Sequence, residues 1–130
     1  MKPRHGNALW RFAMIVLMMM GYGHAHAEGD IQRGMNLFAQ ECADCHSIKL
    51  GKNKKGPSLF GILGQPAASA QGFSRYSEAL KKSGVVWTPE KLDAYIANPK
   101  KAVAGGKMKY DGLDNAKDRA DLISYLQSLR

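Results

Sequence analysis

Apolar residues recur along this chain mainly in steps of three and four, a spacing that predicts a few helices joined by long loops. From Asp30 onward the step is kept by Ile31, Met35, Leu37, Phe38, Cys42 and Cys45. Asp30 is placed to cap the start, so an amphipathic helix is expected to run into the segment holding both cysteines. Gly34 falls on the inner face of that helix, where a missing side chain lets another segment come close. Met35 has the spacing of a packing residue on the same inward face. Residues 49–56 carry Lys49, Lys52, Lys54 and Lys55 with no acid, which predicts a solvated basic loop. Gly56-Pro57-Ser58-Leu59-Phe60-Gly61 and Gly64-Gln65-Pro66 then mark a turn-rich path, and residues 64–74 read as irregular.

Ser77 can cap a short helix through Ala79 and Leu80 that stops by Gly84. Thr88-Pro89 is a helix start, with Leu92, Tyr95 and Ile96 on one face and Pro99 as the stop. Residues 100–112 have no periodicity and are expected to form a loop containing Gly105, Gly106 and Met108 among four lysines. Asp114 or Asn115 caps a last helix that turns Ala116, Ala120, Leu122, Ile123, Tyr125, Leu126 and Leu129 inward. With no strand pattern and no repeat, the pattern predicts an all-α chain of one domain.

The first 27 residues differ from the rest. Lys2, Arg4 and Arg11 make a positive start, residues 12–20 are uncharged and apolar, and Ala25-His26-Ala27 is a small-x-small ending. That is the layout of a secretory signal peptide, and the apolar run is too short for the roughly 20 residues a membrane span needs. Cleavage after Ala27 would leave residues 28–130 with 16 basic and 11 acidic side chains, a formal charge of +5. The exported chain would keep one histidine, His46, and two methionines, Met35 and Met108.

That histidine closes the run Cys42-Ala43-Asp44-Cys45-His46, the C-x-x-C-H spacing of covalent c-type haem attachment. Two cysteines three apart on a helix would point the same way, towards the two vinyl groups on one porphyrin edge. His46 would then supply one axial ligand to iron. Rival readings run short of residues. A structural zinc site lacks a fourth ligand, because the other histidines, His5, His24 and His26, lie in the export segment. A thioredoxin-like pair follows a strand, and none is predicted before Cys42; a plain disulfide gives the adjacent histidine no role. For the second axial position Met108 is favoured over Met35, since it lies between Lys107 and Lys109 in a glycine-containing loop, far enough along the chain to reach the other haem face. About 100 residues with short helices would bury a thin core, so the haem is expected to complete it.

These residues resemble class I c-type cytochromes, of the mitochondrial-like and bacterial c2 or c550 type, over essentially all of residues 30–130. The resemblance rests on Gly34 and Phe38, Cys42-x-x-Cys45-His46, Gly56-Pro57-x-Leu59, Gly72-Phe73, Tyr76-Ser77, Trp87, Tyr95, Asn98-Pro99-Lys100-Lys101, Lys107-Met108, and Leu122 with Tyr125. It implies three main helices plus short helices and loops wrapped around one covalent haem c, with the first and last helices crossing at Gly34, Phe38, Leu122 and Tyr125. It also implies that Pro57 accepts a hydrogen bond from His46, that Tyr76 and Trp87 approach the haem propionates, and that Tyr95 donates towards the Met108 sulfur. Gln65, Leu80, Gly106 and the extra residue Arg75 depart from the family pattern.

By the same resemblance the function is one-electron transfer, with His46 and Met108 both kept on iron, in an exported protein of the bacterial periplasm. Lys49, Lys52, Lys55, Lys100, Lys101 and Lys107 would rim the haem edge and steer a monomeric carrier to acidic patches on its partners. Those partners would be a quinol-oxidising complex, a terminal oxidase, a reaction centre or a periplasmic dehydrogenase; nucleic acid is not expected. The contrasting reading is a haem enzyme or gas-binding protein with an open distal site. It requires Met108 to be off the iron, and a peroxidase would further want a distal base that no second histidine supplies. A sensing module would want an attached effector domain, which the pattern does not offer.

Overall fold

The computed structural model describes residues 29–130; residues 1–27, the expected export signal with His5, His24 and His26, lie outside them. Five helices follow in chain order: α1 (Ile31–Glu41), α2 (Glu78–Lys82), α3 (Pro89–Ala97), α4 (Pro99–Ala102) and α5 (Ala116–Ser128). Among the described residues the only β pairing is an isolated bridge between Pro66 and Val86. No described helix is long and apolar enough to cross a membrane.

Each helix starts where a short polar side chain can take an otherwise unpartnered amide. Asp30 accepts from the Arg33 amide, Ser77 from Leu80, Thr88 from Lys91, Asn98 from Lys101 and Asn115 from Asp118. Of the two candidate caps for α5, Asn115 takes the role. Residues 100–112 are not all loop. Pro99 ends α3 and also opens α4, because a proline has no amide to lose at a first helical position.

α1 crosses α5 with backbones close together. A side-chain carbon on Gly34 would overlap the Asp121 carbonyl and sit 2.7 Å from the Tyr125 Cβ, so only glycine fits there. The Phe38 and Tyr125 rings pack beside this contact, 6.0 Å between centroids. Because the crossing is centred on Gly34 and Phe38, the buried strip of α1 is narrow. Met35, expected inside, is 41% exposed, and Ile31 is 51% exposed. Ala116, expected to face inward on α5, is exposed as well.

Asp121 takes an inward position that apolar spacing does not reveal. It has no accessible surface, and it accepts from the Asp30 amide at 2.7 Å and from Lys117 at 3.0 and 3.1 Å, with Arg33 at 3.4 Å. Next to it, Gly29 donates to the Ser124 hydroxyl at 2.9 Å. The carboxylate thus ties the start of α1 to α5. Burial alone would raise its pKa, but the Asp30 amide, Lys117 and Arg33 outweigh burial and hold it below its ordinary value. Stability gained this way is present above the unfolded pKa and lost as pH falls through the folded one. Asp121→Ala should therefore destabilise the haem-loaded protein at pH 7 by about 2 kcal/mol in guanidinium unfolding. The gap to wild type should close below about pH 4, and a gap independent of pH would contradict this account.

The core proper is small: Phe38, Trp87, Leu92, Ile96, Leu122, Ile123, Tyr125 and Leu126. Trp87, Leu92, Ile96, Leu122 and Leu126 among them face a cleft rather than another layer.

Candidate functional site

The cleft has a volume of about 700 Å³, within the range of small-molecule and cofactor sites. All four main parts of the chain wall it. The turn after α1 gives Cys42, Cys45 and His46; the following path gives Pro57, Leu59, Phe60 and Ile62; α3 and α5 give Leu92, Tyr95, Ile96, Leu122 and Leu126; and the segment after α4 gives Lys107, Met108 and Tyr110. Its lining is chiefly apolar, with two thiols, an imidazole and a thioether among the aliphatic side chains.

The cysteines do not sit on the helix itself. α1 ends at Glu41, where the Cys42 and Ala43 amides both bond to the Phe38 carbonyl at 2.9 Å. A turn follows in which the Cys45 and His46 amides return to the Cys42 carbonyl, at 3.1 and 2.9 Å. This turn still puts both cysteines and His46 on the cleft wall. The two cysteines form no disulfide with each other. Before any thioether forms, burial, with Glu41 and Cys45 beside it, pushes the Cys42 thiol up to about 11.

His46 is fixed from behind. Its Nδ1 lies 2.7 Å from the Pro57 carbonyl, which can only accept, so Nδ1 carries the proton and Nε2 keeps a free lone pair. Burial lowers the pKa of His46, the Pro57 bond opposes that, and Lys54 adds to it, leaving a neutral imidazole suited to a metal. Gly56 lies against the ring; a Cβ there would come within 2.8 Å of Nδ1. These contacts orient the imidazole as a second layer of bonds orients a metal-binding histidine.

Met108 borders the same cleft, 62 positions along the chain, and also a small cavity shared with Tyr95, Pro99, Lys100 and Gly106. Met35 borders neither. The expected hydrogen bond from Tyr95 to the Met108 sulfur is not formed among the described residues; the Tyr95 ring instead packs on Trp87, 4.9 Å between centroids. Tyr76 and Trp87 both line the cleft, and the Tyr76 hydroxyl accepts from the Ala70 amide at 3.0 Å. Gln65 and Leu80 are also on the wall, with Arg75, which donates to the Lys54 carbonyl at 2.9 Å and lies over the Phe73 ring.

The lysines divide. Lys55 and Lys107 border the cleft, and Lys100 borders the small cavity while pairing with Asp111 at 3.0 Å. Lys49, Lys52 and Lys101 are exposed but border neither space. The cleft residues that the sequence reading does not name include Glu41 and Tyr110, whose side chains bond to each other at 2.8 Å. Their separation of 69 positions leaves no local signal.

An all-α fold folded around an apolar cleft, with a Cys-x-x-Cys-His turn on one wall and a methionine on the wall, defines a c-type haem protein. The comparisons agree. The sequence model of the family described as Cytochrome c matches residues 31–130. Cytochrome c of Gibberella zeae is 48% identical over 102 residues, covering 78% of this chain and 95% of that one. Cytochrome c2 of Rhodopila globiformis is 46% identical over 102 residues, covering 78% and 95%. Cytochrome cH from Methylobacterium extorquens, a solved structure, superposes with a TM-score of 0.71 at 40% identity, covering 77% of this chain and 99% of that one. The chain belongs to the cytochrome c family. It is accordingly an electron-transfer protein with one covalently attached haem c, not an enzyme.

Proposed function

We propose that the chain is a one-electron carrier in which Cys42 and Cys45 hold the haem as thioethers and His46 and Met108 hold its iron. The observation that carries this reading is the convergence on one cleft of a pre-oriented neutral imidazole and the only methionine among the described residues that borders it. The haem supplies the ferric/ferrous couple. The chain's part is to keep both axial positions filled, so that little has to rearrange when an electron arrives, and to exclude water with the aliphatic lining. A thioether ligand favours ferrous iron and raises the potential. Tyr76, Trp87 and Tyr95 pack along the haem in this reading, and residues 1–27 act as a signal removed on export to the periplasm.

The visible spectrum of the exported protein tests it. The ferric form should show the weak far-red iron–thioether band, and the ferrous spectrum should not move when carbon monoxide is added. Absence of the band together with ready carbon monoxide binding would replace the carrier reading with an open-site haem enzyme or sensor.

The mature chain is basic, and Lys55, Lys100 and Lys107 stand beside the cleft or the Met108 cavity, with Lys49, Lys52 and Lys101 further out. Such a surface suits a monomer that docks briefly on acidic patches of a quinol-oxidising complex, terminal oxidase, reaction centre or periplasmic dehydrogenase. Electron transfer to a purified partner should slow severalfold as ionic strength rises from about 0.01 to about 0.1 M, where the screening length drops from about 30 to about 10 Å. A rate indifferent to salt would rule out electrostatic steering.

A further inference from the structure

The Met108 segment is lightly held. Residues 104–107 are exposed and include Gly105 and Gly106. Within the chain's own side of the cleft it is tied by the Gly106 amide to Val103 at 3.1 Å and by the exposed Lys100–Asp111 pair. Among the described residues, one hydrogen bond crosses from residues 104–112 to the wall that carries the cysteines and His46: the Tyr110 hydroxyl donates to Glu41 Oε2 at 2.8 Å. Its two ends are telling. Tyr110 stands two residues after Met108, and Glu41 is the last residue of α1, directly before Cys42. Both side chains border the cleft, so the bond spans its mouth.

From this placement, and resting on the reading that Met108 is an iron ligand, we propose that the Tyr110–Glu41 hydrogen bond is a latch that holds the Met108 segment closed over the cleft. A thioether is a weak, neutral ligand, so its residence on iron depends on how firmly the chain presents it. A hydroxyl bonded to a carboxylate is stronger than a bond between neutral groups, and among the described residues it is the one hydrogen bond from residues 104–112 to the wall of the cysteines. Tyr110 and Glu41 are positioning residues: they act on the iron through Met108.

The test is imidazole binding to the ferric, haem-loaded protein, which reports how readily Met108 yields its place. Tyr110→Phe keeps the ring and loses the hydroxyl; it should bind imidazole about three- to tenfold more tightly than wild type while keeping the far-red band in the absence of imidazole. Glu41→Ala should do the same, the double variant should add little to either single one, and Glu41→Gln, whose neutral amide oxygen still accepts but more weakly, should fall between wild type and Glu41→Ala. Unchanged affinity in Tyr110→Phe overturns the latch, as do additive effects of Tyr110→Phe and Glu41→Ala. A Glu41→Gln variant as weakened as Glu41→Ala also overturns it, assigning the effect to charge. A wild-type protein without the far-red band overturns the Met108 reading itself, and the latch with it.

Discussion

A Cys42→Ala, Cys45→Ala chain prepared free of haem should lose most of the helical circular-dichroism signal that the haem-loaded protein shows. The reason is the size of the cleft relative to the core. Eight buried residues make up the apolar cluster, and five of them, Trp87, Leu92, Ile96, Leu122 and Leu126, line the cleft. Without haem, water enters the cleft of about 700 Å³ and its apolar lining stays exposed, so the burial that should offset the chain's conformational entropy is missing. A whole domain of this kind has a net stability of about 5–15 kcal/mol. The chain cannot carry that loss, and closing the cleft would require α3, α5 and the Met108 segment to abandon the positions their caps and turns set. Local structure gives little resistance, since α2 and α4 are single turns and α3 has nine residues, lengths at which isolated helices do not persist in water. Native-like helix content in the haem-free variant would show that the α1–α5 crossing is sufficient by itself and would refute this view of the fold.

That crossing also marks how far the sequence can be read. Helix starts are local, and all are visible in it: Asp30, Ser77, Thr88-Pro89 and Asn115 each put an acceptor side chain where an amide needs one. α4 carries the same kind of sign, Asn98-Pro99, but one proline there both ends α3 and opens α4, so a single signal stands for two boundaries. The C-x-x-C-H run is equally local, and its residues line the cleft even though the cysteines lie in a turn beyond the helix. What periodicity cannot supply is the direction from which a partner element arrives. At Gly34 the backbones of α1 and α5 come so close that only a narrow strip is covered, which strands Met35 and Ile31 in solvent despite their apolar character. Asp121 is the reverse case. A charged residue reads as outward, but the Asp30 amide and Lys117 come to it from elsewhere in the fold or along the helix and make burial tolerable. Glu41 and Tyr110 belong to the same category, a pair defined only once the chain has closed around the cleft.

Met108→Ala should convert the closed site into an open one. The far-red band of the ferric protein should vanish, the ferrous protein should bind carbon monoxide, and the midpoint potential should fall by on the order of 0.1 V or more, within the span of about 0.8 V over which axial ligands set haem potentials. No other thioether can take over. Met35 is the one remaining methionine among the described residues; it is exposed and lies away from the cleft. His46 should be unaffected, because its orientation comes from the Pro57 carbonyl and from Gly56, on the wall opposite in the chain to the altered segment. The fold should survive for the same reason: Met108 is only half-buried, and the haem would remain anchored through Cys42 and Cys45. The variant thus separates holding the haem from closing its sixth position. Persistence of the band, or continued refusal of carbon monoxide at an unchanged potential, would mean that another group closes the site and that Met108 does not ligate the iron.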